Sequence, residues 1–169
     1  DDIEIALTHS RVQYSEEYHS FVNGQHTTQG GTHQVAFREA VVKTVREYFG
    51  KNYEAADIRK SIVAAISIKV MEPVFESQTK TKLGNSEVSG AVDQAVGEMM
   101  NNYLEENPNM AKLIINKVVL AAQARHAARK AREMVQRKGA MSGAGLPGKL
   151  SDCSSKIAEE CEIYLVEGD

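Results

Sequence analysis

The chain of 169 residues is long enough for one domain with an attached segment, and it can bury a sizeable core. Its composition, 42% hydrophobic and 25% charged, is that of an ordinary globular protein, and it has no apolar run of about 18 residues that would predict a membrane span. The net charge of -3 argues against nucleic-acid binding through overall positive charge, so any DNA contact must come from a local cluster of cations. Cys153 and Cys161 lack metal-ligand spacing and are typical of reduced cytosolic thiols.

Three segments have the composition of strands. Residues 3–9 alternate apolar and polar side chains, and residues 16–23 form a second candidate that ends at an Asn23-Gly24 turn. Residues 62–71 are β-branched and apolar enough for a central strand, which Pro73 is expected to end.

Three helices are predicted around these strands. The first has Thr32 as its N-cap and ends at Phe49, before Gly50. The second covers residues 86–105, and the third, with Asn107 as its cap, covers residues 108–138. This order of elements favours an α+β fold in which helices pack on one face of a mixed sheet.

The end of the third helix is rich in arginine and alanine. Arg125, Arg129 and Arg132 recur at helical spacing and share one face. They are interpreted either as a solvated helix end, whose cations complement the helix dipole, or as a stripe that follows a phosphate backbone. The second interpretation would make the chain a freestanding basic-helix nucleic-acid-binding protein, a hypothesis kept as the alternative.

A sequence resembling a phosphate-binding loop follows this helix, from Gly143 to Lys149. The P-loop motif requires Ser or Thr directly after its lysine to hold magnesium, but this chain has Leu150 there. Pro147 also removes one backbone N–H from the cradle. Residues 139–148 are therefore interpreted as a Gly/Pro-rich basic linker.

Two further groups have donors suited to anions. The first is Gly30-Gly31-Thr32-His33, followed by Arg38. This group is interpreted either as an anion site at a helix N-terminus or as a structural turn. The loop from Ser77 to Lys82 places two lysines among small hydroxyl side chains, and it can reach a phosphate held elsewhere or be a solvated turn. The five histidines show no metal-ligand spacing.

Together these segments resemble the ATPase subunit (the gyrase B type) of bacterial type IIA topoisomerases, the group of DNA gyrase and topoisomerase IV. The matching segments span nearly the whole chain in the expected order. They are Gly30-Gly31-Thr32-His33, Phe37-Arg38, Phe75 to Leu83 with Gln78-Thr79-Lys80, Ala124 to Lys138, Leu146 to Leu150 and Tyr164 to Asp169. Residues Phe21 to Gly31 look more similar to topoisomerase IV.

The resemblance implies roles for individual residues. Gln78 and Lys80 match the loop in which the lysine contacts the terminal phosphate of ATP in an adjoining ATPase domain. Arg38 matches an arginine of the cavity through which DNA passes, and Arg125, Arg129 and Arg132 are taken as further DNA contacts. Glu167 matches a Toprim glutamate associated with Mg²⁺ and DNA cleavage. The Lys80 loop is expected to be exposed and mobile.

The resemblance also implies a fold and a domain organisation. Residues 1–138 would form a transducer domain similar to domain 2 of ribosomal protein S5, with a left-handed β-α-β crossover and a long C-terminal exit helix. Residues 139–169 would be a linker and the truncated first strand of a Toprim domain.

The implied function is to relay ATP binding and hydrolysis to DNA strand passage in a type II topoisomerase. The intact enzyme would use ATP and Mg²⁺, whereas this chain alone is expected to hold neither and to be inactive. The implied partners are DNA, the N-terminal ATPase domain, the DNA-breaking topoisomerase subunit (the gyrase A type) and a second copy of the intact ATPase subunit on ATP binding. The resemblance implies no membrane partner and a location in the bacterial cytoplasm.

Overall fold

The computed structural model describes residues 3–13, 15–142, 155 and 157–162. The strands are β1 (Ile3–His9), β2 (Glu17–Val22), β3 (Gln25–His26) and β4 (Ile62–Ile68). The helices are α1 (Thr32–Phe49), α2 (Ala55–Arg59), α3 (Val88–Glu106) and α4 (Pro108–Ser142), followed by a 3-10 turn at Ala158–Glu160. The three strands and three helices predicted before residue 139 are present, while β3 and α2 were missed.

The four strands form one mixed sheet in the order β1-β4-β2-β3. β4 is central, antiparallel to β1 and parallel to β2, and β3 closes a hairpin with β2. Alternate residues of β4 are buried, and α1 and α3 supply the opposing apolar side chains, so the core lies between the helices and one face of the sheet. The predicted α+β fold is confirmed.

The central strand ends earlier than predicted, at Ile68 rather than residue 71. The Asn23 side chain explains the early end, because its amide donates to the Val70 carbonyl at 2.8 Å and its oxygen accepts the Val70 N–H at 2.8 Å. Hydrogen bonds to the Asn23 side chain thus replace the backbone hydrogen bonds between strands at the point where β2 turns. Asn23 and Gly24 have φ angles of 51° and 80°, which confirms the predicted turn.

One predicted helix cap, Thr32, is wrong. The N-cap of α1 is Gly31, and Thr32 is the first helical residue, whose N–H donates to the Leu83 carbonyl at 3.1 Å. Asn107 directly precedes α4, and its carbonyl accepts the Ala111 N–H at 3.0 Å, as that of an N-cap residue does; its side-chain amide donates to the Tyr103 carbonyl at 3.0 Å, at the end of α3. The stop at Gly50 is confirmed, with φ at 62° and its N–H directed at two α1 carbonyls.

β2 and β4 are parallel neighbours joined through α1, so the β-α-β unit is present, and its left-handed crossover stays a prediction. Contacts divide the chain into residues 1–125, with the sheet and α1 to α3, and residues 126–169. This division lies inside α4, and the domain boundary after residue 138 stays a prediction. Among the described residues, no helix is long and apolar enough to cross a membrane.

Candidate functional site

Residues 74–84, here called the Lys80 hairpin, connect the end of the sheet to α3. Two hydrogen bonds join its arms, Glu76 N–H to the Lys82 carbonyl at 3.0 Å and Gly84 N–H to the Val74 carbonyl at 2.8 Å. Lys80 lies at the tip with φ at 53°. These bonds make the segment a defined hairpin, a regularity that the sequence did not predict.

The tip of the hairpin is exposed, as expected for Gln78 and Lys80. The Lys80 N–H donates to the Ser77 carbonyl at 3.1 Å, and the Ser77 and Thr79 hydroxyls are 2.7 Å apart. The neighbouring Lys82 pairs with Glu76 at 2.9 Å, whereas Lys80 makes no ion pair in the described part of the chain. One cation of the hairpin is therefore available to a ligand, and the mobility of the tip stays a prediction.

The base of the hairpin is buried against the start of α1. Leu83 is 0% exposed; its N–H donates to the Gly30 carbonyl at 3.2 Å, and its carbonyl accepts the Thr32 N–H. Gly31 bridges to Leu83 with φ at 140°, and a Cβ there would lie 2.5 Å from the Leu83 nitrogen. Glycine is therefore required at this crossing, which favours the structural interpretation of the glycine pair.

Arg38 belongs to a cluster centred on Glu16. The Arg38 and Arg59 guanidiniums and the Tyr18 hydroxyl all donate to the Glu16 carboxylate. Arg38 also lies over the Tyr18 ring, 5.3 Å from its centroid. Burial and the hydrogen bond to Glu16 raise the pKa of Tyr18 above its ordinary value. One carboxylate thus holds two cations, and the Arg38 side chain remains 35% exposed.

The three arginines of α4 differ in their contacts. Arg125 makes a bidentate pair with Asp57 of α2, with N···O distances of 3.0 and 3.1 Å, and Asp57 is only 4% exposed. This pair is structural, because it satisfies a buried carboxylate. Arg129 pairs with Glu133 one turn away on an exposed surface, and Arg132 is exposed. The pairing of Arg125 weakens the alternative of a freestanding basic helix, which counted on all three cations.

A buried polar cluster beneath α1 was missed by the sequence analysis. The Ser20 and Thr27 hydroxyls lie 2.6 Å apart, and the Thr27 hydroxyl is 3.4 Å from Nε2 of His33. Nδ1 of His33 has no hydrogen-bond partner. Burial lowers the pKa of His33 to about 4, which keeps the ring neutral. The helical spacing of His33 with Phe37 was the available signal, since it places both side chains on the buried face.

Several predicted features lie outside the described residues. They are Glu167, the motif from Gly143 to Lys149, and the strand before Asp169. The segment before Gly143 is helical as far as Ser142, whereas a P-loop requires a buried strand there. No group of three or more metal-ligating side chains occurs among the residues that the structure describes.

Comparisons with known proteins agree with the resemblance. A family model described as DNA gyrase B matches residues 1–134. The chain is 57% identical to the DNA gyrase B of Cytophaga aurantiaca over 99% of its length, and 46% identical to that of Mycobacterium tuberculosis over 99%. It spans 37% and 26% of those relatives, respectively.

Solved structures that are similar to this chain belong to the same group of proteins. One is the 43K ATPase domain of Thermus thermophilus gyrase B in complex with an aminocoumarin, which is 36% identical and superposes with a TM-score of 0.71. The match covers 78% of this chain and 37% of that structure. The topoisomerase IV ATP-binding domain of Francisella tularensis is 27% identical over 73% of this chain and 36% of its own, with a TM-score of 0.65. These values do not support the preference for topoisomerase IV drawn from residues 21–31. The chain belongs to the DNA gyrase B family.

Proposed function

We propose that this chain relays ATP binding and hydrolysis to DNA strand passage in an ATP-dependent type II topoisomerase. The observation that carries the proposal is the 57% identity to a DNA gyrase B across 99% of the chain. The ATP in question is bound by an N-terminal ATPase domain outside the chain, in keeping with the two solved relatives, which are an ATPase domain and an ATP-binding domain. The chain alone neither hydrolyses ATP nor cleaves DNA.

Lys80 is the proposed contact to the terminal phosphate of ATP, with Gln78 beside it. A lysine presents a compact positive charge on a long stem, and a cation at that phosphate stabilises the charge that develops during phosphoryl transfer. The tip of the hairpin fits this role, since it is exposed and Lys80 has no ion pair in the described part of the chain. ATP supplies the phosphate, and Lys80 supplies a positive charge at its terminal oxygens.

In this proposal a displacement of the hairpin tip is transmitted to α1. A shift of Lys80 moves the arm that ends at Leu83, which is hydrogen-bonded to Gly30 and Thr32 at the first turn of α1. Because packed interiors deform little, such a shift is passed on to the helix rather than absorbed locally. α1 also holds Arg38, the proposed contact to the transported DNA segment.

Three arginines are proposed to contact DNA, namely Arg38, Arg129 and Arg132. All three have exposed or partly exposed side chains. The guanidinium of Arg125 is held by Asp57, so its contribution to DNA binding is limited to long-range charge.

The remaining roles follow from the same family membership. Glu167 is proposed to bind Mg²⁺ in a Toprim domain that takes part in DNA cleavage and religation. The proposed partners are the DNA-breaking topoisomerase subunit, DNA itself, and a second copy of the intact ATPase subunit on ATP binding. The proposed location is the bacterial cytoplasm.

The test replaces Lys80 with alanine in the intact ATPase subunit. We expect ATPase turnover to fall by about a hundredfold or more, because one preorganised charge at the transferring phosphate is lost, while ATP still binds. Steady-state ATPase assays and equilibrium nucleotide binding measure the two effects.

Lys82→Ala is the matched control, since Lys82 is in the same hairpin and its charge is already paired with Glu76. Its turnover is expected to stay within about twofold of wild type. Unchanged turnover in Lys80→Ala, or equal losses in both variants, would contradict the role given to Lys80.

A further inference from the structure

A second cationic region lies apart from the Lys80 hairpin and the Glu16 cluster. A cavity of about 280 Å³ opens between the loop after β1, the turn before β4 and the first half of α4. Each of these three segments places one cation on its wall, namely Arg11, Lys60 and Lys117. None of the residues that line it is acidic.

Hydrogen bonds hold the three segments together at this cavity. The Ser10 N–H donates to the Ser61 carbonyl at 2.7 Å, and Nζ of Lys117 donates to the Ser10 carbonyl at 3.2 Å. The Ser10 hydroxyl accepts the Gln13 N–H at 2.9 Å, which fixes the turn that carries Arg11. Ser61 has φ at 66°, a left-handed conformation that is uncommon for serine. The segments that carry Arg11, Lys60 and Lys117 are therefore tied to one another.

The cavity is lined by cations and by no carboxylate, although the net charge of the chain is -3. Several other cations, such as Arg38, Arg59 and Arg125, are paired with carboxylates. Arg11 and Lys117 have no ion pair with any described residue. Burial, and after it the charge of Lys117, lowers the pKa of His9 below its ordinary value. Like charges around one cavity repel each other, and a bound anion relieves that repulsion.

We propose that this cavity binds a phosphate-class oxyanion, supplied by the DNA backbone or by a small free phosphate compound. Cations on three separate segments suit a tetrahedral oxyanion better than a planar carboxylate, and Ser61 also lines the cavity. The DNA source rests on the proposed function, whereas the phosphate site rests on the cavity alone. The site is distinct from Lys80, so it binds without taking part in ATP hydrolysis.

The experiment uses the 169-residue chain with two probes. Inorganic phosphate is titrated while backbone amide NMR signals are followed, and a duplex of about 20 base pairs is titrated at several salt concentrations by fluorescence anisotropy. The variants are Lys117→Gln and Arg11→Gln. The matched control is Lys112→Gln, which removes the same charge from an exposed position of α4 that does not line the cavity.

We expect phosphate to shift the signals of Arg11 and Ser61, and each cavity variant to weaken phosphate binding about three- to tenfold, with Lys112→Gln within about twofold of wild type. If DNA is the source, phosphate competes with the duplex, and each cavity variant lowers the salt slope of duplex binding by about one. If the duplex neither competes nor responds, the site takes small phosphates and the DNA source is excluded.

The proposal is overturned if phosphate at about 50 mM leaves the Arg11 and Ser61 signals unmoved, or if Lys112→Gln weakens binding as much as Lys117→Gln. Thermal unfolding of each variant by circular dichroism checks that the fold is retained. The assay needs no nucleotide, so its outcome is independent of the Lys80→Ala test.

Discussion

The tip and the base of the Lys80 hairpin differ sharply although they lie close together in the chain. Lys80 is exposed and is held by one turn hydrogen bond to Ser77 and by its own backbone conformation. Leu83 is fully buried, and both of its backbone groups are bonded to the segment around Gly31. The exposed end can meet a ligand, and the buried end can transmit the displacement that results.

This contrast suits the proposed role of the hairpin, in which its tip senses a ligand and its base reports it. A wholly exposed loop would move without consequence for the core, and a wholly buried one could not reach a phosphate. Changes at the base should therefore affect stability, whereas changes at the tip should affect turnover and leave stability nearly unaltered.

The largest effect is expected from Gly31→Ala. The new Cβ would lie 2.5 Å from the Leu83 nitrogen at a φ of 140°, so both steric overlap and backbone strain oppose the native crossing. We expect the free energy of unfolding to fall by roughly 4 kcal/mol, measured by urea denaturation.

Gly50→Ala is the control for this comparison. Gly50 also has a positive φ, at 62°, but nothing lies within 4 Å of a Cβ there, so only about 1 kcal/mol should be lost. Equal losses at the two positions would show that the contact with Leu83 does not constrain Gly31.

A somewhat smaller effect is expected from acidification, through His33 beside the base. Its pKa of about 4 in the folded chain lies below the ordinary 6.5, so the unfolded chain takes up the proton first as the pH falls. The neutral state of His33 therefore contributes to the free energy of unfolding in full above pH 6.5. This contribution, roughly 3 kcal/mol, is lost as the pH falls from 6.5 to 4.

Urea denaturation at a series of pH values measures this loss in wild type and in His33→Gln, whose amide cannot take up a proton. The variant should show a correspondingly shallower decline between pH 6.5 and 4. A decline of the same steepness in both proteins would exclude His33 as its cause.

The smallest effect on stability is expected from Lys80→Gly at the tip. Glycine adopts a φ of 53° without the strain that lysine bears, and its greater freedom in the unfolded chain offsets part of that gain. We expect a net stabilisation of about 0.5 kcal/mol, measured by urea denaturation. In the intact ATPase subunit the same variant should lose turnover as Lys80→Ala does, and retained turnover would show that the shape of the turn matters more than its charge.

Local patterns in the sequence predicted most of the fold. The alternation of β1, the apolar run of β4 and the periodicity of α1 each depend on neighbouring residues, so they are visible without tertiary contacts. The five-residue helix α2 was missed because so short a helix carries too little periodicity. Thr32 was assigned the cap of α1 on residue preference, but Gly31 holds that position, since its carbonyl accepts the Val35 N–H at 3.1 Å.

The candidate site was predictable only in part. The composition of the Lys80 loop indicated an exposed, donor-rich segment, and the resemblance supplied its proposed meaning. The anchoring of its base to Gly31 and the pairing of Arg125 with Asp57 join residues far apart in the chain. No local pattern encodes such pairings, because the partners are selected by packing.

The bridge between Gly31 and Leu83 has a consequence for the order of folding. It closes a loop of about 50 residues, and this closure costs chain entropy. The cost is small only once α1 and the sheet already hold the two ends near each other. The hairpin should therefore gain its native shape among the last steps. If Lys80 has its proposed role, a chain whose core has not yet formed would present no organised lysine to the nucleotide and would stay uncoupled from the ATP cycle.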